Sequence, residues 1–119
     1  MKIIIDAMGG DNAPFEIVKG ACLASEKYKS KLVLVGDKPK IEACMKQLDA
    51  DSRIIDIVHT DVQITMEDDP LTVVRAKKDS SMTIGLNLLK DDGDAFVSAG
   101  NTGALHVGSS LIIRTIKGV

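Results

Sequence analysis

Tryptophan is absent from the 119 residues, and one tyrosine and two phenylalanines make up the whole aromatic complement. So sparse a set offers few platforms on which bases could stack, which argues against a single-strand nucleic-acid binder. An excess of one charge is also lacking, because 15 basic side chains stand against 17 acidic ones for a formal net charge of −2. No polybasic footprint therefore points to nucleic acid or to an anionic membrane, and peripheral membrane contact has no readout in these residues. Cysteine is limited to Cys22 and Cys44. Without CxxC spacing or a nearby histidine pair they form neither a disulfide framework nor a zinc site, and they read as free thiols packed like small apolar side chains. The N-terminus has one lysine and then strand residues, with no apolar core of a signal peptide. The longest late apolar stretch, LHVGSSLII, is too short and too polar to span a bilayer. These absences lead to the expectation of a cytoplasmic chain, with residues 1–119 inside one domain of common size.

What is present is an alternation of strands and helices. KIIID (2–6) is a continuous β-branched run, the pattern of a strand buried on both faces. Asn12 is a candidate N-cap and Pro14 an early helical residue, and Ile17, Ala21, Ala24 and Tyr28 then recur at helical spacing over 14–28. KLVLVGD (31–37) repeats the strand signal, followed by a helix over about 38–48 with Ile41, Met45 and Leu48 on one face. RIIDIVHT (53–60) and DAFVSAG (94–100) read as further strands, the last entering a helix over 101–116. Between them, Asp69-Pro70 turns the chain and Ser80 or Ser81 caps a helix presenting Met82, Leu86 and Leu89. This order predicts an α/β fold, a mainly parallel sheet in a three-layer αβα arrangement, with ligands bound beyond the carboxyl ends of the strands.

Three constellations stand where such ligands would bind. The first is Asp6 with Gly9, Gly10, Asp11 and Asn12, where paired glycines let backbone amides turn toward an oxyanion. It is neither the dinucleotide fingerprint nor a Walker loop, and a tight turn capped by Asp6 and Asn12 accounts for it equally. The second is SAGNTGA, in which Ser98, Asn101 and Thr102 supply neutral donors while Gly100 and Gly103 permit close backbone approach. Neither His59 nor His106 can be assigned to Ser98 as a base. The third is RAKKDSSM, whose Arg75, Lys77, Lys78, Ser80 and Ser81 can clamp a phosphate or simply form a solvated face. Glu67, Asp68 and Asp69 form an acidic turn without paired ligands elsewhere, so no metal is expected.

In this order and spacing, IDAMGGDNAP, RAKKDSSM and VSAGNTGA resemble the PlsX family, the phosphate acyltransferases of bacterial phospholipid synthesis. The resemblance covers the whole chain but corresponds to about the N-terminal third of the family, so an incomplete sheet is expected. It implies a fold similar to phosphotransacetylase and to the isocitrate and isopropylmalate dehydrogenases. It also implies transfer of a fatty acyl group from acyl carrier protein to inorganic phosphate, with no cofactor, by an enzyme that is a homodimer when complete. The site residues carried over are Ser98, Asn101 and Thr102 for catalysis. Gly9, Gly10, Asn12, Gly100 and Gly103, then Lys78, Ser80 and Ser81, would bind phosphate, and Asp6 and Asp11 would orient the loop.

Two other readings stay open. A non-catalytic binding module would dock the acidic carrier protein on Arg75, Lys77 and Lys78. An actin-like phosphotransferase is suggested by IIIDAMGGD, although that class does not call for KKDSSM or SAGNTGA.

Overall fold

The computed structural model describes residues 1–28, 30–50, 55–65 and 67–113. Strands β1 (Lys2–Asp6), β2 (Lys31–Gly36), β3 (Ile55–His59) and β4 (Ala95–Val97) form one sheet in the order β3-β2-β1-β4, every neighbouring pair parallel. Helices α1 (Phe15–Tyr28), α2 (Lys38–Gln47), α3 (Pro70–Ala76), α4 (Ser81–Asp91) and α5 (Thr102–Gly108) connect and cover them, and α5 runs on as a π-helical turn over Ser109–Ile113.

The apolar runs of β1 and β2 divide their side chains between two faces, as strand alternation requires. Ile3, Ile5, Leu32 and Leu34 pack with Val18, Ala21 and Cys22 of α1 and Ile41 and Met45 of α2. Ile4, Val33 and Val35 turn to the opposite face and meet Ile84, Leu88 and Leu89 of α4, with Phe96 of β4. Three layers result, helices on both sides of a parallel sheet, as the sequence pattern predicts. A further cluster joins Met82 and Leu86 of α4 to Ala104 of α5 and to Ile64, which follows β3.

Local chemistry sets the element ends. Asp37 caps α2, its carboxylate accepting from the Lys40 amide at 3.4 Å, and Pro39 occupies the first turn where its missing N–H costs nothing. His59 Nδ1 accepts from the Lys38 amide at 3.0 Å, which gives this histidine a structural use at the end of β3. Asp94 clamps β4 to β1: its amide donates to the Lys2 carbonyl at 2.8 Å and its carboxylate accepts from the Lys2 amide at 2.7 Å.

Four expectations shift. The buried face of α1 is Val18, Ala21, Cys22 and Ser25; of the expected stripe Ala21 is buried and Ala24 half-buried against the same core, while Tyr28 is exposed. Helix α1 begins at Phe15, with the Asn12 carbonyl accepting from the Glu16 amide at 3.2 Å and the Asn12 side chain exposed. Strand β4 ends at Val97 instead of Gly100, because Ser98 leaves the ladder to bond elsewhere. The α-helical part of 101–116 ends at Gly108. Arg53, Ile54 and residues 114–116 of the expected elements lie outside the described residues.

Gly20 lies within α1, is exposed, and would place an added Cβ with nothing within 4 Å. Gly20→Ala is therefore expected to stabilise the fold by about 1 kcal/mol through helix propensity, read as a higher denaturation midpoint at constant m-value. An unchanged or lower midpoint would contradict the open surface assigned to that position.

Candidate active site

Strand order runs one way from β1 through β2 to β3, then reverses to place β4 on the other side of β1. Loops leaving β1 and β4 consequently diverge from adjacent strands at a topological switch point, where open parallel sheets form their binding crevice. The first and second constellations, distant in sequence, meet there.

Asp6 ends β1 with only 3% of its surface exposed. Its Oδ1 accepts from the Met8 amide at 3.0 Å and from Ser81 Oγ at 2.6 Å, while Oδ2 accepts from Ser98 Oγ at 3.0 Å. Ser98 Oγ in turn accepts from the Gly100 amide at 3.2 Å. One carboxylate thus holds the loop after β1, the first turn of α4 and the loop after β4. A buried carboxylate with its lone pairs engaged by donors incurs far less cost than an unpaired one.

The two loops then touch through backbone. A Cβ added to Gly9 would lie 2.8 Å from the Gly100 nitrogen and 3.0 Å from Gly100 Cα, closer than real side chains come. Gly10 has φ of +104°, a left-handed conformation that glycine adopts without strain. Beside this contact lies a cavity of about 200 Å³ lined by Met8, Gly10, Asp11, Gln63, Ile64, Thr65 and Gly100. Asp11, Gln63 and Thr65 are exposed along it.

Gln63, Ile64 and Thr65 are absent from the sequence-derived site. The available signal is positional: they follow β3 at the carboxyl edge that the other two loops share.

The remaining predicted residues are dispersed. Asn101 is 6% exposed and fully used: its Oδ1 caps α5 by accepting from the Ala104 amide at 3.0 Å, and its Nδ2 donates to the carbonyls of Thr65 and Asp68 at 2.9 and 3.0 Å. Ser80, with no exposed surface, caps α4 by accepting from the Thr83 amide at 3.2 Å, and Ser81 is 1% exposed. Both hydroxyls therefore face inward in this structure instead of toward the cavity. Thr102 is exposed at the start of α5, and Gly103 lies against Pro70, where an added Cβ would come within 2.6 Å of Pro70 Cγ. Asn12 and Lys78 are exposed and do not line the cavity.

Lys77 is committed to the loop wall. Its Nζ donates to Asp68 Oδ2 at 2.8 Å and to the Gln63 carbonyl at 3.1 Å, while the Thr65 amide donates to the same Asp68 oxygen at 2.8 Å. The Lys77 hydrogen bond first, and the Thr65 amide second, hold the Asp68 carboxyl below its usual range. Because the folded value is depressed, this contribution to stability is complete above the ordinary carboxylate pKa of about 3.9 and is lost as pH falls through the lowered folded value. Titration of the Asp68 carboxyl carbon by NMR is expected to give a midpoint below that of an unpaired aspartate, moving upward in Lys77→Met. An unmoved midpoint would contradict the pairing.

A second concavity, an open groove of about 750 Å³, lies between α3 and α5 and is lined by Leu71, Arg75, Ala76, His106, Val107 and Leu111 among others. Larger than the first, it is lined by helix residues away from the switch point and holds none of the loop glycines. The smaller cavity is the better candidate for chemistry.

Comparison with known proteins supplies the context. A family model described as "Fatty acid synthesis protein" matches residues 1–119. Proteins named "Phosphate acyltransferase" are similar along the full chain. That of Alkaliphilus oremlandii is 48% identical over 120 residues, all of this chain and 36% of its own length. The Clostridioides difficile protein is 47% identical over 120 residues, covering 35% of its length. The Pediococcus pentosaceus protein is 50% identical over 121 residues, covering 34%. The chain thus spans about a third of the length of the curated relatives it matches.

Proposed function

The chain belongs to the fatty acid synthesis protein family, and from that premise we propose that the loops after β1 and β4 form one wall of an acyltransferase cleft. Inorganic phosphate bound there attacks the thioester carbonyl of a fatty acyl group carried by acyl carrier protein. A phosphate oxygen forms the new bond to the acyl carbon, the carbon–sulfur bond breaks, and the carrier leaves as its thiolate. The observation that supports this reading is the backbone-to-backbone contact of Gly9 with Gly100 beside a small cavity at the strand switch point.

The chemistry suits such a wall. Phosphate is anionic near neutral pH and a thiolate is a tolerable leaving group, so neither a strong base nor a covalent nucleophile is required. Placement dominates, and each donor aimed at the developing oxyanion contributes about 3–4 kcal/mol. Gly10 and Gly100 line the cavity, the Gly100 amide being held there by Ser98 Oγ, and Thr65 and Gln63 add polar side chains. Ser98 and Asn101 act as positioning residues, since their hydrogen-bonding groups are spent on the loops themselves. Asp6 orients the first loop through its hydrogen bonds, whereas Asp11 lines the cavity with an exposed carboxylate that would repel phosphate directly. Thr102, Gly103 and Asn12 lie outside the cavity lining and take no direct part in this reading. No cation lines the cavity among the described residues. Charge compensation in the full-length homodimeric enzyme then rests on amides and on groups outside this portion.

Incubating the full-length protein with acyl carrier protein thioester and phosphate is expected to release free thiol and acyl phosphate in equal amounts. Thiol release independent of phosphate would overturn the proposal. Arg75 and Lys78 are exposed and form the surface offered to the acidic carrier. Replacing both with glutamate is expected to raise KM for the carrier about ten-fold at low salt, with the effect shrinking as salt screens the charges. An unchanged KM would remove them from the docking surface.

A further inference from the structure

We infer that Ser81 is a positioning residue for the phosphate wall, acting through Asp6 on the Gly100 amide; the inference rests on the acyltransferase reading above. Ser81 stands at the first turn of α4, 75 positions along the chain from Asp6. Its backbone is fixed by contacts that do not involve Asp6, because the Ser81 amide donates to the Val62 carbonyl at 3.0 Å and the preceding Ser80 caps the helix. From that fixed point its hydroxyl donates to Asp6 Oδ1 at 2.6 Å, the shortest of the three bonds to this carboxylate.

A carboxylate held at one oxygen by a rigid helix start has its rotation set. Its other oxygen then determines where Ser98 Oγ sits, and Ser98 Oγ is the acceptor of the Gly100 amide. Gly100 both lines the cavity and abuts Gly9. Ser81 therefore sets the separation of the two glycine loops without touching the cavity itself. The same Val62 carbonyl that receives the Ser81 amide begins the segment carrying Gln63, Ile64 and Thr65, so α4 indexes all three cavity-lining loops to one another.

The test uses the full-length protein with inorganic phosphate as the varied substrate. Ser81→Ala is expected to raise KM for phosphate about ten-fold while kcat changes less, and Ser81→Thr, which keeps the hydroxyl, is expected to restore most of the loss. Ser98→Ala interrupts the same path at a half-buried position. It is expected to raise the phosphate KM similarly, and the double variant to add little, since both act through one carboxylate. Exchange of the Gly100 amide with solvent should quicken in both single variants. An unchanged phosphate KM with unchanged Gly100 exchange would overturn the inference, as would full additivity of the two substitutions. If the wild-type protein shows no phosphate-dependent thioester cleavage, the acyltransferase reading falls, and Gly100 exchange alone then decides whether Ser81 positions the loop.

Discussion

Gly9→Ala is expected to lower kcat/KM for phosphate-dependent acyl transfer about 100-fold, equivalent to about 2.7 kcal/mol of transition-state stabilisation. The added methyl would sit 2.8 Å from the Gly100 nitrogen, 3.0 Å from Gly100 Cα and 3.0 Å from Asp6 Oδ2. Two of these neighbours are backbone, which cannot swing aside as a flexible side chain does. The loops after β1 and β4 must part, and displacement on the order of 1 Å at a reacting centre is enough for such a loss. Overpacking is also expected to cost about 1–3 kcal/mol in stability, so activity and denaturation are measured on the same preparation. Activity within about two-fold of wild type would show that the contact of the loops is not what the reaction uses. Gly20→Ala, on the open face of α1, is the matched control, because it makes the same chemical change without a collision.

Asp6→Ala is expected to destabilise the fold by about 3–5 kcal/mol, the largest effect on stability among these substitutions. The change strips the acceptor from the Met8 amide and from the Ser81 and Ser98 hydroxyls, and the Ser81 hydroxyl has almost no access to water. Single domains are stable by about 5–15 kcal/mol, so a substantial fraction of the total is at stake. Asp6→Asn preserves shape but replaces one acceptor with a donor. One hydroxyl can rotate to accept instead, so the amide variant is expected to lose less than the alanine variant. Chemical denaturation of the three proteins at constant m-value reads both effects, and a loss below about 1 kcal/mol for Asp6→Ala would contradict the network described around it.

The sheet is legible in the sequence because its strands are intense. KIIID is buried on one face and half-buried on the other, LVLV is buried on both, and no competing period disturbs them. The face of α1 is less legible, because its inward residues Ala21, Cys22 and Ser25 are small while Leu23 and Tyr28 point outward. Hydrophobic size misleads where close packing against a sheet demands small side chains. Strand β4 resembles a longer strand because Ser98 and Ala99 fit the pattern, yet the Ser98 hydroxyl is drawn to Asp6, a partner 92 positions away.

The site divides in the same manner. That the glycine loops lie at one sheet edge follows from element order alone, but their mutual contact depends on β4 returning beside β1, which no local signal contains. Ser80 and Ser81 have the composition of phosphate ligands, whereas their burial comes from tertiary packing of α4. Asn101 carries the signature of a donor at a helix start, and the carbonyls of Thr65 and Asp68 consume its amide instead. Gln63 and Thr65 look like linker residues until β3 is placed at the sheet edge.

In the proposed function the backbone of the two glycine loops binds phosphate. Glycine-selective nitrogen-15 labelling of the full-length protein, followed through a titration with inorganic phosphate, tests it most directly. Saturable amide shifts at Gly9, Gly10 and Gly100, with Gly20 unmoved, are the predicted result. Phosphate-dependent turnover without any shift at those three amides would place the anion elsewhere and contradict the account.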